Sequence, residues 1–160
     1  TYQIVRPLKG LTVRENVTTA ALFGARPASS RREAAERAAK ILDQLGLSDL
    51  ADEPAGALTL SAQKKLEVAK ALATAPRLLL LDEVMAGLTP TEVRAMLDTV
   101  RQIKAEYGLT VLLIEHVMRA LMELSERIVV LHHGEMIAEG SPEAVAADPD
   151  VQNAYLGQKK

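Results

Sequence analysis

Apolar residues recur along the chain with two different periods, and the change between them comes near residue 76. Residues 12–23 and 31–45 carry apolar positions at helical spacing, the second run led by Ser30 and Glu33 in an S-x-x-E capping arrangement. The stretch "GLSDLADEPAG", Gly46 to Gly56, is a breaker-rich connection, and a third helix is predicted from Ser61 to Ala73. After Pro76 short apolar runs alternate with amphipathic segments. "LLLLD" is followed by 91–106, with Val93, Met96, Leu97, Val100 and Ile103 on one face, then "LTVLLI", then 116–124, then "RIVVL". This alternation predicts the α/β class, with a parallel sheet covered on both faces. Thr89 and Glu92 form a second capping box with Pro90 in the first turn, and Ser141-Pro142-Glu143 opens a last helical segment.

Composition narrows the picture only a little. A chain of 160 residues fits one domain, and 48% hydrophobic with 25% charged residues is ordinary for a globular protein. No apolar run approaches the roughly 18 residues that a membrane span needs. The net charge of -2 gives no reason to expect nucleic acid, whose binders carry a basic face. The absence of cysteine removes disulfide frameworks and thiolate metal sites and fits a reducing cytosol.

The chemistry concentrates where the leucine run ends. In a parallel sheet, ligands sit beyond the carboxyl ends of the strands, where Asp82 and Glu83 stand. The next apolar run ends in Glu115 and His116, which a parallel neighbour would bring to the same edge. An Asp for a hard cation, a Glu for water and a His for a phosphate make a hydrolase-like set. Each also has a plainer reading: solvated acids at a strand-ending turn, and a histidine that caps or packs a helix. His132 and His133, beside Gly134, read as turn residues.

Four motifs in order extend this reading: "TYQ" at the start, "LTLSAQKKLEVAKAL", "LLLLDEVMAGL" and "IEH". From Gln3 onward the chain resembles the nucleotide-binding subunits of ABC transporters, most of all the ATPases of branched-chain amino acid importers, whose ends are similar to "DPDVQNAYLG". The resemblance implies a P-loop NTPase-like parallel sheet with a helical subdomain over about 11–73. An α/β core over about 76–140 and a helical tail over 141–160 complete the expected division. Carried over by position, Gln3 becomes the Q-loop glutamine on magnesium, and Asp82 the Walker B aspartate on the same ion. Glu83 becomes the carboxylate that polarises water, and His116 the switch histidine near the γ-phosphate. Ala86 to Thr89, with Gly87 in it, matches the D-loop; Thr89 has the competing role of helix cap. Leu58, Thr59, Leu60, Ser61 and Ala62 take the place of L-S-G-G-Q, with only Leu58 retained, and Val84 replaces the usual proline after the glutamate.

The resemblance also implies ATP and magnesium as cofactors. Its partners would be a second ATP-binding subunit, of like or unlike kind, and a permease that holds the chain at the cytoplasmic face of the membrane. Related lipopolysaccharide exporters have similar C-terminal ends, so amino acid import rests on likeness alone. No Gly-x-x-x-x-Gly-Lys-Ser/Thr occurs in the 160 residues. The expectation is therefore that Thr1 lies inside a longer subunit and that this piece alone hydrolyses no ATP. The alternative is a non-hydrolysing interaction or regulatory module.

Overall fold

The computed structural model describes residues 7–156, with side chains through residue 154. The chain divides into two compact units between Glu115 and His116.

The first unit opens with three helices: α1 (Val13–Leu22), α2 (Arg31–Gln44) and α3 (Leu60–Ala73). Each begins at a hydroxyl cap, Thr12, Ser30 and Thr59, whose oxygen accepts a first-turn N–H. They pack on one another through Val13, Val17, Ala21, Ala34, Ala38, Ile41, Leu42, Leu66 and Leu72, all buried. The helix ends come so close that a Cβ on Gly24 would stand 2.3 Å from the Cα of Thr74, so only glycine fits there. Buried Asn16 ties down the segment ahead of α1, accepting from the Leu8 N–H at 2.8 Å and donating to the carbonyls of Leu8 and Thr12. The connection over 46–56 contains two short 3-10 turns, Ser48–Leu50 and Ala55–Ala57.

Strand β1 (Leu78–Asp82) then pairs in parallel with β2 (Thr110–Ile114), Leu80 opposite Leu112 and Asp82 opposite Ile114. Between them runs α4 (Pro90–Tyr107), which buries the five residues that the periodicity assigns to its inner face and ends on Gly108 in the left-handed conformation. Leu79 and Leu81 are buried on one side of the sheet. The other side differs from the expectation of two covered faces. Leu78, Leu80, Leu112 and Ile114 are 49–59% exposed, because the helices of these residues cover only one side.

The second unit holds α5 (Met118–Leu124), β3 (Ile128–His132), β4 (Glu135–Gly140), α6 (Pro142–Ala147) and α7 (Pro149–Leu156). Among the described residues β3 pairs antiparallel with β4, a strand that the apolar periodicity does not announce. His133 and Gly134, both with positive φ, make the two-residue turn, which suits the right-handed twist of a hairpin. Ile128, Val130, Val145 and Val151 form the core of this unit, with Leu121 and Ile137 against it. Pro149 starts α7 after Asp148, so the last helical segment is two helices rather than one.

Candidate functional site

Four leucines followed by two acids place Asp82 as the last residue of β1 and Glu83 one step beyond it, at the carboxyl end of the parallel pair. Both are half-buried. The Glu83 N–H extends the ladder by donating to the Ile114 carbonyl at 2.8 Å. Its φ is +47°, in the left-handed region, which costs a non-glycine residue about 1–3 kcal/mol. Such a backbone persists only where its surroundings hold it. The Glu83 carbonyl accepts from Lys64 Nζ at 2.8 Å and from the Ala86 N–H at 3.2 Å. Two residues on, the Met85 N–H donates to Glu115 Oε1 at 2.8 Å. Glu115 is itself buried, and its Oε2 has no hydrogen-bond partner among the described residues.

Lys64 and Glu115 are therefore parts of the site that sequence reasoning missed as such. Lys64 stands inside a helix of ordinary pattern, and its acceptor is a main-chain carbonyl, which no residue type announces. The clue for Glu115 was its place at the same sheet edge as the acids.

The segment Leu58–Ala62 forms the amino end of α3. Thr59 Oγ1 accepts from the Ala62 N–H at 3.3 Å as the cap, Leu60 is exposed, and Ala62 is buried. This end lies along the loop that follows Glu83. A Cβ on Gly87, whose φ is +78°, would meet Leu60 Cδ2 at 3.1 Å. Thr89 caps α4 in a full box: its N–H and Oγ1 donate to Glu92 Oε2 at 2.8 and 2.7 Å, and its oxygen accepts the Glu92 N–H. The structure thus brings Asp82, Glu83, Gly87, Thr89 and the Leu58–Ala62 segment into one unit. His116 follows Glu115 directly and is the exposed first residue of the second unit. Gln3 lies outside the described residues.

The Glu92 carboxylate is held below its ordinary value of 4.5, mainly by the Thr89 N–H, then by the Thr89 hydroxyl, with a smaller part from the Ser61 hydroxyl of α3. A carboxylate with a depressed folded pKa stabilises the fold above its unfolded value and loses that contribution as pH falls through the folded one. The stability lost on Glu92→Gln is therefore expected to be full at pH 7 and to shrink below about pH 4.5. Denaturant midpoints of both proteins from pH 7 to 3 check this; a constant difference would mean that the charge plays no part.

Among the described residues no three His, Cys, Asp or Glu side chains form a metal cage. A magnesium ion held by one carboxylate, waters and phosphate oxygens needs none, so Asp82 at a strand end fits such an ion. A cleft of about 580 Å³, lined by Arg26, Arg37, Lys40, Arg77 and Tyr107, opens instead at the amino ends of both strands, away from the acids.

Comparison with known proteins bears on this geometry. A family model described as "ABC transporter" matches residues 1–86, and one described as "Branched-chain amino acid ATP-binding cassette transporter" matches residues 135–160. The chain is 40% identical to the high-affinity branched-chain amino acid transport ATP-binding protein BraF of Pseudomonas aeruginosa, over 99% of this chain and 67% of that protein. It is 38% identical to LivG of Escherichia coli, a protein of the same description, with the same coverage. Among solved structures, an ATP-binding cassette of an ABC transporter in its ADP conformation is similar at a TM-score of 0.82 and 32% identity, covering 99% of this chain and 67% of that one. The sequence, the parallel strand pair ending in two acids and these likenesses agree: the chain belongs to the ABC transporter ATP-binding family.

Proposed function

We propose that these residues are part of a subunit that binds and hydrolyses ATP to drive an ABC transporter, one that imports branched-chain or other amino acids. The observation that carries this is Glu83, one residue past a parallel strand, with its backbone held in a left-handed turn by Lys64, Ala86 and Ile114. In this reading Asp82 holds magnesium together with Gln3, and the Glu83 carboxylate orients water and takes its proton as general base. Bound magnesium supplies charge neutralisation on the phosphate oxygens. His116 takes the role of the switch histidine in this reading. The amino end of α3, Thr59 to Ala62, and the Gly87–Thr89 loop face the nucleotide of a second subunit, since helix N–H groups suit an anion.

Amino acid import is supported by the names of BraF and LivG, described as branched-chain amino acid transport proteins. Dimerisation is supported by a similar cassette solved as a dimer bound to ADP and Pi, at 27% identity and a TM-score of 0.78. No described helix is long and apolar enough to cross a membrane. Membrane association then comes through a permease, at its cytoplasmic face.

No Gly-x-x-x-x-Gly-Lys-Ser/Thr phosphate-binding loop occurs among these 160 residues, which span 67% of the length of BraF and LivG. The chain assayed alone is expected to show no magnesium-dependent ATP hydrolysis above background, and the whole subunit to show it. Hydrolysis by the pure 160-residue chain, abolished by Glu83→Gln, would overturn the first half of that statement. The second reading, a non-hydrolysing interaction module, is favoured by one observation: the Thr59 hydroxyl already serves within the chain as the cap of α3, accepting from the Ala62 N–H. A whole subunit that binds ATP and does not hydrolyse it, alone or with its permease, would establish that reading.

A further inference from the structure

Lys64 projects from the second turn of α3 and is only 5% exposed. An ammonium rarely occupies such a place, because it loses hydration there and must be compensated by hydrogen bonds. Its Nζ donates at 2.8 Å to the main-chain carbonyl of Glu83, a residue nineteen positions away in sequence. The same carbonyl accepts from Ala86, and the Glu83 N–H is fixed on Ile114. The peptide groups on both sides of the Glu83 Cα are thus tied to different elements, while its φ stays at +47°. The direction in which the carboxylate leaves the backbone follows from those ties.

The amino end of α3 touches this segment elsewhere too, with Leu60 against Gly87. Of these contacts, that of Lys64 is the one made to the residue carrying the reactive carboxylate. Its acceptor is a neutral carbonyl, so the lysine acts on the backbone of Glu83. An apolar residue of the same length would fill the space and provide no donor.

We propose that Lys64 is a positioning residue for Glu83: its buried ammonium fixes the Glu83–Val84 peptide and couples displacement of the amino end of α3 to the carboxylate that activates water. This rests on the reading of Glu83 as the general base. A misplacement near 1 Å costs catalysis far more than binding, so the signature is a loss in kcat with little change in KM.

The test uses the whole subunit. Lys64→Met is expected to lower kcat for ATP at least about tenfold with KM changed less than about threefold, and Lys64→Arg to keep at least about a third of wild-type kcat. Hydrogen exchange gives a readout independent of turnover: the Met85 and Ala86 amides are expected to exchange at least about tenfold faster in Lys64→Met, with the α4 amides unchanged. Unchanged kcat and exchange in Lys64→Met would overturn the proposal, as would a folded Lys64→Arg as inactive as Met. If Lys64→Met does not fold, Lys64→Gln takes its place, and wild-type kcat in it overturns the proposal equally. A wild-type rate that Glu83→Gln leaves intact would instead overturn the reading of Glu83, and the proposal with it.

Discussion

Glu83→Gln is expected to lower ATP hydrolysis by the whole subunit roughly 10²–10⁴-fold, the usual contribution of a positioned general base. ATP binding is expected to stay within about threefold, because the interaction removed is one made in the transition state. Glutamine keeps the volume and the polar end of the side chain while losing its basicity. The contacts that hold the Glu83 backbone, from Lys64 and Ala86 to its carbonyl and from its N–H to Ile114, use main-chain atoms and survive the substitution. The left-handed φ is no harder for glutamine than for glutamate. Denaturant stability is therefore expected to change by less than about 0.5 kcal/mol, as for other substitutions that break no packing or network. Single-turnover hydrolysis and equilibrium nucleotide binding on the same preparation separate the two effects. A variant that hydrolyses ATP at the wild-type rate would remove Glu83 from the chemistry and leave Asp82 and Glu83 as a strand-ending turn.

How far the sequence revealed this site depended on whether a residue's role lay in its side-chain pattern. The inner face of α4 was fully legible, since Val93, Met96, Leu97, Val100 and Ile103 recur at helical spacing and are all buried. Thr89 was legible as a cap because Glu92 stands three residues on, while Thr59 caps α3 without an acid in the first turn and gave no such signal. β4 was missed because "EMIAEG" offers only three apolar residues between exposed acids, a weak strand pattern that forms through pairing with β3. The strain at Glu83 was invisible for another reason. A positive φ at a glutamate is held here by hydrogen bonds with two distant elements, through Lys64 and Ile114, and by a local one from Ala86, and composition or spacing does not record where a main-chain carbonyl finds its donor. The contribution of Glu115 to Met85 is of the same kind.

Leu66→Ala is expected to destabilise the chain by about 2–5 kcal/mol, the range for truncating a fully buried leucine. Leu66 is fully buried in α3, the helix that packs on α1, α2 and β1. Its neighbours on the helix, Val68, Ala69 and Leu72, are buried as well, so little of the surroundings can move in to fill the space. For a chain of this size such a loss lowers the melting temperature by roughly 4–20 °C. Leu66→Met, which nearly conserves volume, is expected to cost less than about 1.5 kcal/mol. The pair of variants separates lost packing from any general intolerance at the position. A Leu66→Ala protein within 0.5 kcal/mol of wild type would mean that α3 is not anchored in the core. That result would reach the site as well, because the same helix carries Lys64 to the Glu83 carbonyl and sets the amino end against Gly87. If α3 is anchored as described, Leu66→Ala in the whole subunit also speeds exchange of the Met85 and Ala86 amides, while a substitution of exposed Arg31 on α2 leaves them unchanged.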